Sequence, residues 1–251
     1  MLRNFRVLKI KKLDFVSGAR EATGLAVIID VFRAFSVACY AFAKGARRVV
    51  PVGEVDTAWK LRERYPDSVL IGERHAKKLE GFDFGNSPTE VESADLRGLT
   101  LVHTTHAGTQ GLVNALQADE VITGSFVNAG AIVAYIRGNN CGEVSLVSMG
   151  TNGVEQALED TLCAEYLERR LRGEEMDFRS IRDRLRACAS AEKFFDPMQP
   201  WAPESDFELC MQLDRFAFVL RRRTWIDGKF TLEKIEPESG GGRKKEKGVM
   251  E

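Results

Sequence analysis

Leu25-Ala26-Val27-Ile28-Ile29-Asp30-Val31 is apolar at every position but one, and this run decides the fold class. A strand wetted on one face alternates apolar and polar residues, whereas a continuous β-branched run belongs to a strand covered on both faces. The residues that follow, Ala34 to Lys44, read as a helix stopped by Gly45. Further pairs repeat the pattern. Arg48-Val49-Val50-Pro51-Val52 precedes a helix from Glu54 to Arg64 that Pro66 closes, and Ser68-Val69-Leu70-Ile71 is a third strand. Thr100-Leu101-Val102 leads to a helix over 108–116, and Glu120-Val121-Ile122-Thr123 to one through Ala129 and Ile136. Val144-Ser145-Leu146-Val147-Ser148 leads to a long helix over 155–171. Strand–helix alternation predicts an α/β fold, a three-layer α/β/α arrangement about a largely parallel or mixed sheet.

The C-terminal third departs from that rhythm. Phe178 to Cys188 reads as a helix, and Phe194 to Pro203 as a proline-broken connector. Thr224 to Leu232 reads as a hairpin around Asp227-Gly228, an antiparallel C-terminal addition that makes the sheet mixed. Residues 1–237 are expected to form a single α/β domain, and 238–251, with no apolar face to bury, a disordered charged tail. The formal net charge of −1 gives no broad field for nucleic acid, and Arg221-Arg222-Arg223 reads as a solvated strand or helix end. The five cysteines form no CxxC pair, which favours buried free thiols in a reducing compartment over zinc. No signal-peptide core or membrane-length apolar run is present, so the expectation is a cytoplasmic protein with no membrane partner. The size suits a homodimer.

In open α/β sheets ligands gather outside the carboxyl ends of the strands, so the residues there carry the candidate chemistry. Asp30 closes its strand and reads evenly as a cation ligand or as a helix cap, with Arg33 three residues on to pair with an anion or with Asp30 itself. Gly72 to Pro88 packs carboxylates, cations and glycines behind the third strand. Glu73 and Arg74 stand nearest its end, Lys77, Lys78 and Glu80 read as solvated, and Asn86 and Ser87 sit in a turn that can also face an anion. Thr104, Thr105 and His106 precede a helix start, where hydroxyl capping competes with phosphate binding. Ser125 and Asn128 read first as cap and first-turn donor. Ser148 to Gly153 is a Gly-rich loop feeding Glu155, Glu159 and Asp160, and it lacks both the dinucleotide and the P-loop spacings.

Laid in order, Asp30-Val31-Phe32-Arg33-Ala34, Gly72-Glu73-Arg74, Gly81-Phe82-Asp83-Phe84-Gly85-Asn86-Ser87-Pro88, Gly124-Ser125-Phe126-Val127-Asn128 and Leu158-Glu159-Asp160 resemble the 2-phosphosulfolactate phosphatase family. The resemblance runs from about Val27 to Leu162 and weakly on to Phe207-Glu208-Leu209-Cys210. It implies a magnesium-dependent phosphomonoester hydrolase converting 2-phosphosulfolactate to sulfolactate and phosphate, in coenzyme M biosynthesis. On that footing Asp30, Glu73, Glu159 and Asp160 are the expected Mg²⁺ ligands, Asp30 and Glu73 foremost, and Asp30 reads equally as a nucleophile. Asp30, Arg33, Glu73, Arg74 and His106 are the expected catalytic set. His75, Asn86, Ser87, Thr104, Thr105, Ser125 and Asn128 are expected to bind the small anionic phosphorylated substrate, and His75 or His106 to protonate the leaving alkoxide. The chain departs from the family pattern at Phe35-Ser36, at His75-Ala76 and at His106, which bears on substrate identity more than on reaction type. The alternatives are a phosphatase for another small phosphorylated acid and a non-catalytic small-anion-binding module. Carboxylates argue against the second, because an anion binder gains nothing from added negative charge.

Overall fold

Ten strands form one mixed sheet in the computed structural model, which describes residues 8–237. They are β1 (Lys9–Asp14), β2 (Leu25–Ile29), β3 (Arg48–Pro51), β4 (Val69–Arg74), β5 (Lys77–Lys78), β6 (Thr100–Thr104), β7 (Glu120–Gly124), β8 (Glu143–Ser148), β9 (Val219–Thr224) and β10 (Phe230–Ile235). Their order is β1-β8-β2-β7-β9-β10-β3-β6-β4-β5. The helices are α1 (Phe15–Glu21), α2 (Ala34–Ala43), α3 (Val55–Arg64), α4 (Pro88–Ser93), α5 (Gly108–Asn114), α6 (Ala129–Gly138), α7 (Leu158–Arg172), α8 (Phe178–Arg186) and α9 (Glu204–Cys210).

The strand that decided the fold class is buried at every position. Because successive side chains point to opposite faces, Ala26 and Ile28 pack into one core with Phe35 and Val37 of α2 and Leu112 of α5. Leu25, Val27 and Ile29 pack into the other with Ile132 of α6 and Leu162 and Leu167 of α7. Helices therefore cover both faces, as the three-layer reading requires. A smaller core, with Ala58 and Leu61 of α3 against Val50, Leu70 and Val102, covers the strands at the far end of the sheet.

Two parallel blocks make the sheet, β1-β8-β2-β7 and β3-β6-β4. The expected hairpin exists, with Asp227 and Gly228 both at positive φ in its turn. Its location is the surprise. Rather than extending an edge, it lies between the blocks, antiparallel to both, joined through single registers at Ile122↔Arg221 and Leu232↔Val49. The Arg221-Arg222-Arg223 run is thereby a strand of the sheet, with Arg221 and Arg223 both on Glu233.

Other boundaries move for local reasons. α7 begins at Leu158 instead of Glu155, because Thr151 and Glu155 bridge to each other and close the preceding loop. Glu155 is thus outside the helix and shares no face with Glu159. β1 was not foreseen. It is a lysine-rich edge strand whose Lys9 and Lys11 pair with Glu143 on β8, charges that also discourage edge-to-edge association. α9 was not foreseen either. All five cysteines are free, with Cys39, Cys163 and Cys210 buried. No helix among the described residues is long and apolar enough to cross a membrane. The expected tail, 238–251, lies outside the described residues.

Candidate active site

One cavity of about 280 Å³ opens beyond the carboxyl ends of β2, β4, β6 and β8, so both parallel blocks contribute to it. The N-terminal turn of α7 and the 3-10 segment Ala189–Phe194 complete its wall. Asp30, Arg33, Glu73, His75, Asn86, His106, Glu159 and Asp160, all singled out in the sequence, line it.

Asp30 is a cap whose second oxygen stays free of hydrogen bonds within the described residues. Its Oδ1 accepts from the Ala34 amide at 3.1 Å and so holds the start of α2. Its Oδ2 lies against Gly108 at the start of α5, where a Cβ would come within 2.7 Å of it. Only glycine permits that approach.

The other carboxylates staple loops together. Asp160 accepts from Val31 N through Oδ1 and from Gly150 N through Oδ2, each at 2.8 Å, joining the ends of β2 and β8. Glu73 accepts from Ala76 N at 2.7 Å and His106 N at 3.0 Å, joining the β4–β5 turn to the loop after β6. Glu159 accepts from the Ser190 hydroxyl at 2.5 Å.

Four carboxylates around one small cavity resist ionising together. Burial pushes Asp30 up to about 6; Glu73 and Glu159 add to the rise, while the Ala34 amide and Lys193 oppose it. Burial, then Asp30 and Glu159, hold Asp160 well above the usual carboxylate range. Glu159 is raised too, chiefly by burial. Such a cluster is the electrostatic complement of a cation.

Two cationic side chains line the cavity. Arg33 is 2% exposed and largely spoken for: Nη1 donates to Asp206 Oδ2 at 2.5 Å and to Trp201 O at 2.9 Å, and Nη2 to Ala76 O at 2.9 Å. Lys193 makes no ion pair among the described residues. Burial and Arg33 lower its pKa, and Glu159, Asp30 and Glu73 work the other way.

His106 and His75 stack edge to face with ring centroids 4.8 Å apart. Burial lowers the His106 pKa, which keeps its imidazole neutral near pH 7, and its Nδ1 has no partner among the described residues. The remaining histidine, His103, is buried with Nε2 3.2 Å from Asn86 Oδ1 and pushed down to about 4 by burial.

Six expected residues do not line the cavity. The Arg74 guanidinium is held by the carbonyls of Glu73 and Gly53 and by Thr104 Oγ1, so it ties strand ends together and Thr104 is its partner. Thr105 accepts from Thr109 N at 3.2 Å, the local capping alternative. Ser87 caps α4 through Glu90 N and donates to Asp206. Ser125 is 2.7 Å from the Ser36 hydroxyl, and Asn128 donates to Phe218 O, both fully buried behind the sheet end. Backbone demand explains five of them, since polar groups at strand ends are the nearest partners for unpaired amides and carbonyls, whereas Ser125 is held by the Ser36 hydroxyl.

Three contributors escaped the sequence reading, namely Ser190, Lys193 and Asp206. Ser190 and Lys193 stand in a short 3-10 segment with no periodic signature. Asp206 left a usable one, since it shares the buried face of α9 with Phe207, Leu209 and Cys210, and an acid at a core phase signals a buried partner.

A parallel-block sheet covered on both faces, with an acidic, cation-bearing cavity outside its strand ends, defines an α/β enzyme acting on a small charged ligand. The sequence pattern of the family described as 2-phosphosulpholactate phosphatase matches residues 13–224. A probable 2-phosphosulfolactate phosphatase of Thermotoga petrophila is 35% identical over 220 residues, covering 84% of this chain and 92% of its own. One from Bacillus subtilis is 31% identical over 214 residues, covering 83% and 91%. Another from Clostridium acetobutylicum is 40% identical over 155 residues, covering 61% and 65%. The chain belongs to the 2-phosphosulfolactate phosphatase family, enzymes of the phosphoric monoester hydrolase class.

Proposed function

We propose that this protein is a magnesium-dependent phosphatase that releases phosphate from 2-phosphosulfolactate, leaving sulfolactate. The observation that carries the reading is the convergence of Asp30, Glu73, Glu159 and Asp160 on one small cavity that also holds Arg33 and Lys193. The cavity volume suits a small phosphorylated acid.

The donors fit magnesium. They are all carboxylate oxygens, and Mg²⁺ takes one or two carboxylates and keeps several waters. No group of three or more His, Cys, Asp or Glu side chains among the described residues is spaced to hold a metal ion, so at most two carboxylates would touch Mg²⁺ directly and water would fill the rest of its shell. Asp30 and Glu73 would hold it, with Glu159 or Asp160 completing the shell through water. Asp30 Oδ2 and Glu159 Oε1 accept no hydrogen bond within the described protein. Bound Mg²⁺ supplies Lewis-acid polarisation of the phosphoryl group and offsets charge at the leaving oxygen.

The chain's own residues supply the rest. Glu73 fixes the His106 backbone, and the neutral His106 imidazole suits accepting a proton from an attacking water. His75, beside it and more exposed, is the donor to the leaving alkoxide. Arg33, braced by Asp206, keeps positive charge at the cavity wall. The family resemblance supports a role in coenzyme M biosynthesis, and five free cysteines suit the cytoplasm.

The test is phosphate release from racemic 2-phospho-3-sulfolactate with magnesium and then with a chelator. Turnover lost on chelation supports substrate and metal together. Failure to release phosphate while magnesium still binds moves the substrate to another small phosphorylated acid. Neither release nor metal binding sinks the proposal.

A further inference from the structure

The geometry points to Lys193 as the residue that holds the phosphoryl group, an assignment that rests on the phosphatase reading above. Of the two cations lining the cavity, Arg33 has both terminal nitrogens committed to Asp206, Trp201 O and Ala76 O. Its charge is offset by a carboxylate sealed in with it. Lys193 has no such partner among the described residues, yet it stands where Asp30, Glu73 and Glu159 all act on its charge. An ammonium left unpaired in the same carboxylate-lined cavity is placed to meet an anion bound there. A phosphoryl group held in this cavity would meet the ammonium, and a compact ammonium is a good point charge for phosphate.

The segment bearing Lys193 is anchored for the task. Ala191 and Phe194 are buried, Phe32 meets Phe194 edge to face at 5.1 Å, and Ser190 holds Glu159. The Lys193 ammonium lies 5.1 Å from the Phe194 ring centroid, so an aromatic face supports it from its own segment. Sharing one cavity wall with Asp30, Glu73 and Glu159 assigns it to the phosphoryl group.

The experiment titrates inorganic phosphate into the magnesium-loaded protein by calorimetry, comparing wild type with Lys193→Met, Lys193→Gln and Lys193→Arg. Thermal melts confirm folding of each. Loss of one charge-assisted contact predicts phosphate affinity about ten- to a hundredfold weaker in the Met and Gln variants, largely restored by Arg. Wild-type affinity in either neutral variant overturns the assignment, as does a wild type that binds no phosphate. If ethanesulfonate affinity falls while phosphate affinity holds, Lys193 serves the other end of the substrate and the assignment fails. Because phosphate binding is read without turnover, inactivity toward 2-phosphosulfolactate would sink the substrate and leave the Lys193 result standing.

Discussion

Arg33 and Asp206 form an ion pair of 2.5 Å with side chains only 2% and 0% exposed, joining the end of β2 to α9. Asp206 also accepts from the Ser87 hydroxyl and the Thr89 amide, so one carboxylate braces three segments. Removing one partner of a buried pair strands the other's charge. Asp206→Ala is expected to lower stability by about 3–5 kcal/mol, read from urea unfolding. A loss under about 1 kcal/mol would show that Arg33 finds solvent or another partner.

The carboxylate cluster predicts an unusual pH dependence. Asp30 rises from 3.8 unfolded to about 6 folded, so the fold holds its proton more tightly than the unfolded chain does. Ionisation therefore costs stability: the penalty is absent below about pH 4, grows between pH 4 and 6, and is complete above. For Asp30 alone it is on the order of 3 kcal/mol, and Asp160 and Glu159 act in the same direction. Asp95 and Glu143, both held down to about 2 by their ion-pair partners, lose their contribution only as the pH falls below about 4 and 4.5 respectively. Chelator-treated protein should melt higher at pH 5 than at pH 7.5, and magnesium should abolish the difference.

Asp30→Asn separates stability from function. Without an ionisable group at this position, chelated protein near pH 7.5 should be more stable than wild type by about 1–3 kcal/mol. Magnesium affinity and turnover should both fall. A variant that retains wild-type turnover would remove Asp30 from the ion.

Gly108→Ala probes the approach of α5 to Asp30. The new Cβ would stand 2.7 Å from Asp30 Oδ2 and 2.8 Å from Ala34 Cβ, so the carboxylate must move. A displacement of order 1 Å at a reacting centre costs roughly a hundredfold. Steady-state kinetics should show kcat reduced between ten- and a hundredfold, with overpacking lowering stability by about 1–3 kcal/mol.

The β4–β5 turn carries His75 at φ 55° and Ala76 at φ 64°, both in the left-handed region. Two-residue hairpin turns of this hand favour glycine at the second position. Ala76→Gly keeps the backbone contacts to Glu73 and Arg33, and should raise stability by about 0.5–1 kcal/mol in thermal or urea unfolding.

The legible part of this protein was local. Strand and helix positions followed from periodicity, and Asp30, Glu73, Glu159 and Asp160 followed from the carboxyl-end rule applied to those strands. The illegible part was competition for partners. Arg74 and Arg33 carry the same side chain near the ends of two strands, but nearby carbonyls capture Arg74 while Arg33 reaches the cavity wall. Ser125 and Asn128 stood at a strand end as plausibly as Asn86 did, and buried partners claimed both.

By itself the amino-acid sequence determined a sheet covered on both faces and a set of acids at its strand ends, because burial pattern repeats with a period that neighbouring residues reveal. Tertiary structure alone decided that the hairpin lies inside the sheet, that Asp206 neutralises Arg33 from 173 positions away, and that Lys193 enters the cavity. Those outcomes depend on which groups meet through space, and a contact between distant segments imposes no local period on the chain.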